Sequence, residues 1–273
     1  MIVSTPVTFA EAVALLQKKK LLPTTLSSAD LEKLAAEFKR QAFFSARTTN
    51  ADFLQRAADL VERIVDPRKT GGEAGTYMDV PRFREELKNF LQSIGYSAED
   101  GKAGTIQDLS SDARLNLIAK TNTQLAQGYG QFVQANDADV LDAFPAQELF
   151  RLEQREKPRD WILRWRGAGG RTYGGRMVAL KDDEVWTGIS RFGNPYPPYD
   201  YNSGMWTLPV SRSDAVALGV IDADRKVKPQ EAGFATTLQA GIAGLSGALQ
   251  QILVAGIPGA SIDGDTISVA GGD

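Results

Sequence analysis

Histidine and cysteine are both missing from the 273-residue chain. Without thiols or imidazoles there can be no zinc finger, no iron–sulfur cluster, no cysteine nucleophile and no Ser-His-Asp triad. A general base would have to be Asp, Glu, Lys or Tyr. A metal would have to be a hard ion held by oxygens, such as Mg²⁺ or Ca²⁺. A strong excess of charge of either sign is missing too, with 31 basic against 34 acidic residues. The net charge is −3, which argues against binding nucleic acid over the whole surface. No basic residue follows Lys228. The first residues, MIVSTPVTFAEAV, lack the basic start and apolar run of a signal peptide, so a cytoplasmic protein is expected.

What is present is the composition of a soluble globular protein, 42% hydrophobic and 24% charged, with enough apolar material for a core that needs no staple. TFAEAVALLQKKK (8–20) opens with Thr8 and Glu11, a capping-box spacing ahead of an apolar run, and predicts a helix. SSADLEKLAAEFKRQAFF (27–44) places Leu31, Leu34, Phe38 and Ala42 on one helical face. Residues 50–66 and 80–96 read the same way, with Gly95 ending the second. SSDARLNLIAKTNTQLAQGYGQFVQAND (110–137) predicts one long helix, continued by ADVLDAFP to Pro145.

The pattern changes after Pro145. FRLEQ and WILRWRGAG alternate in the manner of strands or irregular structure. GGRTYGGRMVALKDDEVW (169–186) mixes turns, a short strand and a helical turn, and its glycines fit neither GxGxxG nor a P-loop. RFGNPYPPYDYNSGMWTLPV (191–210) reads as loop, then strand. SRSDAVALGVI (211–221) reads as a capped helix. In the tail, Leu238, Ile242, Leu245, Leu249 and Ile252 make a helical stripe beside a column of Ala240, Gly244 and Ala248. Asp263-Gly264 predicts a hairpin turn. The expected architecture is mainly α, with a small C-terminal α+β module. A helical bundle spans 1–96, a linker and the long helix 97–145, the module 146–221, and a Gly/Ala-rich helix with a terminal hairpin 222–273.

Three stretches are candidates for chemistry. The first is YPPYDYNSGMW (196–206). Its prolines exclude helix, and Tyr196, Tyr199, Tyr201 and Trp206 carry rings with polar edges. Such a loop either folds over a small core or offers hot-spot side chains to a partner. The second runs from Arg151 to Lys181, with nine basic residues against three acidic and with Trp161 and Trp165 available to stack. It is either a solvated face or a phosphate-contacting one. The third is Asp182-Asp183-Glu184, an acidic triplet that belongs to a helix N-terminus or, with Asp200, to a hard-metal site. The uncharged span 235–257 has the length to cross a bilayer, but its glutamines, threonines and serine argue against it.

Taken in order along residues 8–221, these motifs resemble the phage Mu F-type (MuF), or SPP1-type, minor head protein family. TFAEAVALLQKKKLLPTTLSSAD looks like the family's entry. AFFSARTTNADFLQRAADLVERIVD and FREELKNFLQSIGY are similar to the helices that follow. IAKTNTQLAQGYGQF looks like its central helix, through Thr121, Asn122, Ala126 and Gly130. GRMVALKDDEVWTGISRFGNPYPPYDYNSGMW resembles its closing module and SRSDAVALGVI its last small helix. Where many members carry histidine and an Asn-Cys-Arg-Cys ending, this chain has Arg159-Asp160-Trp161 and Asp200 to Gly204, so no metal or thiol role carries over.

The resemblance implies a non-enzymatic minor component of the phage head interior, assembled in the host cytoplasm. Its partners would be the portal and other head proteins, contacted through Trp186, Tyr196, Pro197, Pro198, Tyr199, Asp200, Asn202 and Trp206. DNA would be contacted through Arg159, Arg164, Arg166, Arg171 and Arg176. No cofactor and no metal are expected, and membrane contact is not. Two other functions fit the residues. One is an oxygen-ligand, metal-dependent hydrolase, which requires Asp182, Asp183, Glu184 and Asp200 to share a pocket. The other is a membrane-active ejection protein using 235–257.

Overall fold

The computed structural model describes residues 10–32, 39, 42–66, 78–230, 238–241, 247–257, 259–264 and 266–269. The fold is mixed α+β, and helix outweighs strand at 45% to 15%. The chain divides into two compact units. One comprises Met1–Gln127 with Phe234–Asp273, the other Gly128–Gly233.

The first unit begins with α1 (Ala10–Lys18), β1 (Lys20–Leu21), α2 (Ser28–Glu32) and β2 (Ala42–Phe43), with β1 and β2 paired in parallel. The predicted 27–44 helix therefore ends early. Ala42 and Phe43 are drawn into a strand because both side chains bury there. Leu34 and Phe38 lie outside the described residues. α3 (Ala51–Val65) starts where the Asn50 side chain accepts from Phe53 N–H at 2.8 Å. α4 (Val80–Ser93) starts where Asp79 accepts from Arg82 N–H at 2.9 Å. Each cap satisfies an amide that has no helical partner. Phe53, Leu54, Leu60, Phe83, Leu87 and Leu115 build the core between α3, α4 and the start of α5 (Asp112–Ala135).

The loop before α5 is tied by Asp108. Burial pushes its carboxyl pKa up. Hydrogen bonds from Gly104 N–H, from the Ser110 hydroxyl and N–H, and from the Tyr96 hydroxyl outweigh that and hold it below the usual range.

The tail also belongs to this unit. β7 (Leu238–Gly241), β8 (Ala260–Asp263) and β9 (Thr266–Val269) form a sheet in the order β7-β9-β8, with α10 (Gly247–Gly256) between β7 and β8. Gly264 takes φ 54° in the turn between β8 and β9, where the sequence predicts a hairpin. Leu253, Ile257 and Ile267 pack with Leu22, Leu26 and Leu31, and the Thr24 hydroxyl donates to the Gly256 carbonyl at 2.8 Å. The predicted helical stripe does not survive as one element. Leu238 and Ala240 are in β7, and Ile242, Gly244 and Leu245 lie outside the described residues. Among the described residues no helix is long and apolar enough to cross a membrane.

The second unit holds the last turns of α5, then α6 (Ala138–Ala143), β3 (Ala146–Arg151), α7 (Trp161–Gly167), β4 (Thr172–Tyr173), β5 (Arg176–Leu180), α8 (Val185–Gly188), β6 (Met205–Val210) and α9 (Arg212–Ala217). α6 does not continue α5 as predicted. Asp137 breaks the run by accepting from Asp139 and Val140 N–H, so a new helix starts. The four strands make one antiparallel sheet in the order β4-β5-β3-β6, with Ala146 opposite both Leu180 and Val210. Pro209 lies on the edge strand β6, where a missing N–H breaks no ladder bond. WILRWRG, read as strand or irregular, is the helix α7. Asp160 caps it by accepting from Leu163 N–H at 2.9 Å, and Trp161 and Trp165, four apart, bury on one face.

Candidate functional site

The 196–206 segment lies inside the second unit, and two of its four rings, Tyr196 and Tyr199, are buried. Trp186 and Tyr199 are 0% exposed and Tyr196 is 3% exposed. Trp186 meets Trp165 edge-on at 5.1 Å between centroids and stacks on Tyr199 at 5.9 Å. Its indole N–H donates to the Leu180 carbonyl at 2.7 Å. Leu149, Val185, Ile189 and Met205 complete this cluster between the sheet, α7 and α8. Tyr196 packs on Tyr129 and Phe132 of α5, and Pro197 and Pro198 are buried beside it. The resemblance assigns Trp186, Tyr196, Pro197, Pro198 and Tyr199 to partner contact; within the unit all five are buried, the placement expected of a loop folded over a small core. These side chains form the core of the unit. Burial also raises the Tyr199 hydroxyl pKa well above its ordinary value. Trp206, half-buried, donates to Gln131 Oε1 at 3.1 Å, and Asn202 is exposed.

Close approach of the segment to α5 depends on a glycine. A Cβ on Gly128 would stand 1.8 Å from the Pro197 carbonyl oxygen. Gly→Ala inside a helix ordinarily stabilises by about 1 kcal/mol. Here the sign reverses, since alanine must displace a backbone carbonyl. Gly128→Ala is expected to lower the thermal midpoint of the second unit. Tryptophan fluorescence checks this, because all four tryptophans (161, 165, 186, 206) lie in that unit.

Asp200 is the electrostatic centre of the segment. Its side chain is 6% exposed and faces three guanidinium groups. Arg164 Nη1 lies 2.8 Å from Oδ2, Arg159 Nε 3.6 Å from Oδ2 and Arg191 Nη1 3.6 Å from Oδ1. Tyr201 N–H also donates to Oδ1 at 2.8 Å. Two of these arginines are braced by aromatic faces, Arg164 over Trp161 at 5.0 Å and Arg191 over Tyr201 at 5.5 Å. Asp200 thus joins the 196–206 segment to α7 and to the turn after α8.

That arrangement decides the fate of the acidic triplet. Asp183 Oδ1 accepts from Val185 N–H at 2.8 Å, the N-terminal-turn role. Asp200 is turned to arginines. Among the described residues no three carboxylates gather to hold a metal ion, so the four acids required by the hydrolase reading do not share a pocket.

The five arginines assigned to DNA fall into two groups. Arg159 and Arg164 are held by Asp200, and Arg176 makes a two-nitrogen contact with Glu148 Oε2 at 2.6 and 3.1 Å. Glu148 raises the Arg176 pKa accordingly. Arg166, on α7, and Arg171, after it, are exposed. Lys181 is buried, and desolvation lowers its pKa to about 8. Its ammonium donates to the Ala135 carbonyl at the C-terminal end of α5, where the helix dipole favours a cation.

A cleft of about 500 Å³ opens beside this network. The run from Gln154 to Lys157 lines it, with Arg159, Asn202 and Ser203. Arg155 and Lys157 belong to the basic 151–181 run that the sequence offers as a phosphate-contacting face, but neither is among the five arginines assigned to DNA. The signal that could have found them is the density of charge in EQREKPRD, held against the 200–204 turn. No family model, no curated protein and no solved structure matches the chain.

Proposed function

We infer that the chain is a minor head protein of a phage or prophage, bound to the portal ring and the capsid interior during head assembly and in contact with packaged DNA. An N-terminal helical bundle and the long helix α5 serve as its body, and the 146–221 module as its docking end. The order of motifs along residues 8–221 supports this reading. The observation that carries it is the exposed face of α7. While Trp161 and Trp165 bury, Ile162 is 44% and Leu163 69% exposed, with Arg166 exposed beside them. Apolar side chains and arginine on a helix anchored by a packed core are what interface centres are made of.

Co-expression with a phage portal protein, followed by size exclusion, tests the reading. The two proteins are expected to elute together. Leu163→Glu, at an exposed position, is expected to separate them without lowering the thermal midpoint. Separate elution of the unaltered proteins overturns the reading.

A further inference from the structure

We propose that the cleft lined by Arg155, Lys157, Arg159, Asn202 and Ser203 is a phosphate-binding site that grips the backbone of single-stranded nucleic acid. The proposal deepens the nucleic-acid part of the reading above and does not depend on portal binding.

Charge is the first reason. Asp200 is one carboxylate, yet both Arg159 and Arg164 are directed at its Oδ2. One negative charge cannot neutralise two guanidinium groups. Arg159 is the exposed member, and it stands in the wall of the cleft. Its Nη2 also donates to the Tyr201 carbonyl at 3.0 Å, which fixes the guanidinium against the turn that presents Asn202 and Ser203. Lys157, exposed, lines the same cleft. Arg155 is anchored by Glu153 at 2.5 Å through Nη2, while its Nε is buried without a hydrogen-bond partner. Glu156 is the one acid in the lining.

The lining also selects the kind of anion. Guanidinium, ammonium, amide and hydroxyl groups line the cleft, the donor types that phosphate recognition uses. The lining contains no apolar side chain and no aromatic ring. An acidic peptide would lack the apolar anchor that protein docking uses. A base would find no stacking platform, so the cleft reads backbone charge and not sequence. A volume near 500 Å³ admits one or two nucleotides and excludes a duplex.

The test titrates the full chain with a fluorescein-labelled oligothymidylate by anisotropy, and with inorganic phosphate and pyrophosphate by calorimetry. Lys157→Glu is the main variant, since its side chain is exposed. Gln154→Glu is the second. Lys226→Glu and Lys228→Glu, exposed and outside the lining, are controls. Each cleft variant is expected to weaken oligonucleotide binding about tenfold, and the controls less than twofold. The slope of log K against log salt should shrink by about 0.7 for each phosphate that the variant no longer grips. Phosphate or pyrophosphate binding that depends on Lys157, with no oligonucleotide binding, supports the site and assigns it to free phosphate. No binding of any of the three, binding indifferent to Lys157→Glu, loss through Lys226→Glu or Lys228→Glu alone, or displacement by polyglutamate as effective as by pyrophosphate each overturns it. Portal co-elution, scored separately, tells failure of the cleft from failure of the head-protein reading.

Discussion

Trp186→Ala is expected to cost the second unit about 3–5 kcal/mol, the range for a fully buried aromatic truncated to alanine. Three losses add. The indole leaves a cavity between Trp165 and Tyr199, each of which forfeits an aromatic pairing of about 0.5–1.5 kcal/mol. The Leu180 carbonyl loses its 2.7 Å donor, and a buried acceptor left unpaired costs about 1–3 kcal/mol. These contributions overlap and do not sum freely, but a domain has only about 5–15 kcal/mol in total. Denaturant unfolding followed by the three remaining tryptophans should show the midpoint fall sharply, or no cooperative transition at all. Leu163→Ala, at 69% exposure, should change stability by less than about 0.5 kcal/mol. A loss below about 1 kcal/mol for Trp186→Ala would mean that the ring is not core. The same contrast governs any partner-binding assay. A Trp186 or Tyr199 variant that fails to bind has lost its fold, whereas a Leu163 variant that fails to bind is folded and lacks only the side chain that meets the partner.

The helices of the first unit were legible because cap and period agree. Asn50 and Asp79 stand where the apolar stripes of α3 and α4 begin, and the observed ends fall within a few residues of those expected. The sheet of the second unit was legible only in part. A short strand is expected within 169–186, where β5 lies, and another after the 191–204 loop, where β6 lies, but the pairing of β3 with β6, more than 50 residues apart at every position of the register, leaves no local trace. α7 was misread because WILRWRG alternates over four residues. Its decisive features were the Asp160 cap and the spacing of Trp161 and Trp165, which are i,i+4. Ala42–Phe43 shows the opposite failure, a helical stripe overridden by burial in a two-stranded pairing. At the site, the aromatic wealth of 196–206 was visible, but its direction was not. Inward and outward tyrosines look alike until Gly128 is seen to admit the Pro197 carbonyl against α5. The cleft needed the fold as well, since Lys157 and Asn202 are far apart along the chain.

Asp200→Asn is the second large effect, expected to destabilise the unit by about 3–5 kcal/mol, the cost of breaking a buried ion pair from one side. Asparagine keeps the shape and can still accept from Tyr201 N–H. It cannot neutralise Arg164 at 2.8 Å, and its amide hydrogens would point at a guanidinium that has only donors. Arg159 and Arg191 then add repulsion that the carboxylate had offset. Two companion measurements separate this cause from simple loss of packing. Asp200→Asn with Arg164→Gln should recover part of the stability, because one uncompensated cation is gone. Moderate sulfate should raise the midpoint of Asp200→Asn more than that of the unaltered protein, by supplying an anion to the stranded arginines. Equal stability of Asp200→Asn and the parent would mean that water, not this carboxylate, screens the three arginines, and the excess positive charge at the cleft wall would vanish with it. A destabilised variant rescued by both routes would identify Asp200 as the residue that gathers the arginines yet leaves them undercompensated, the condition that the phosphate site beside it exploits.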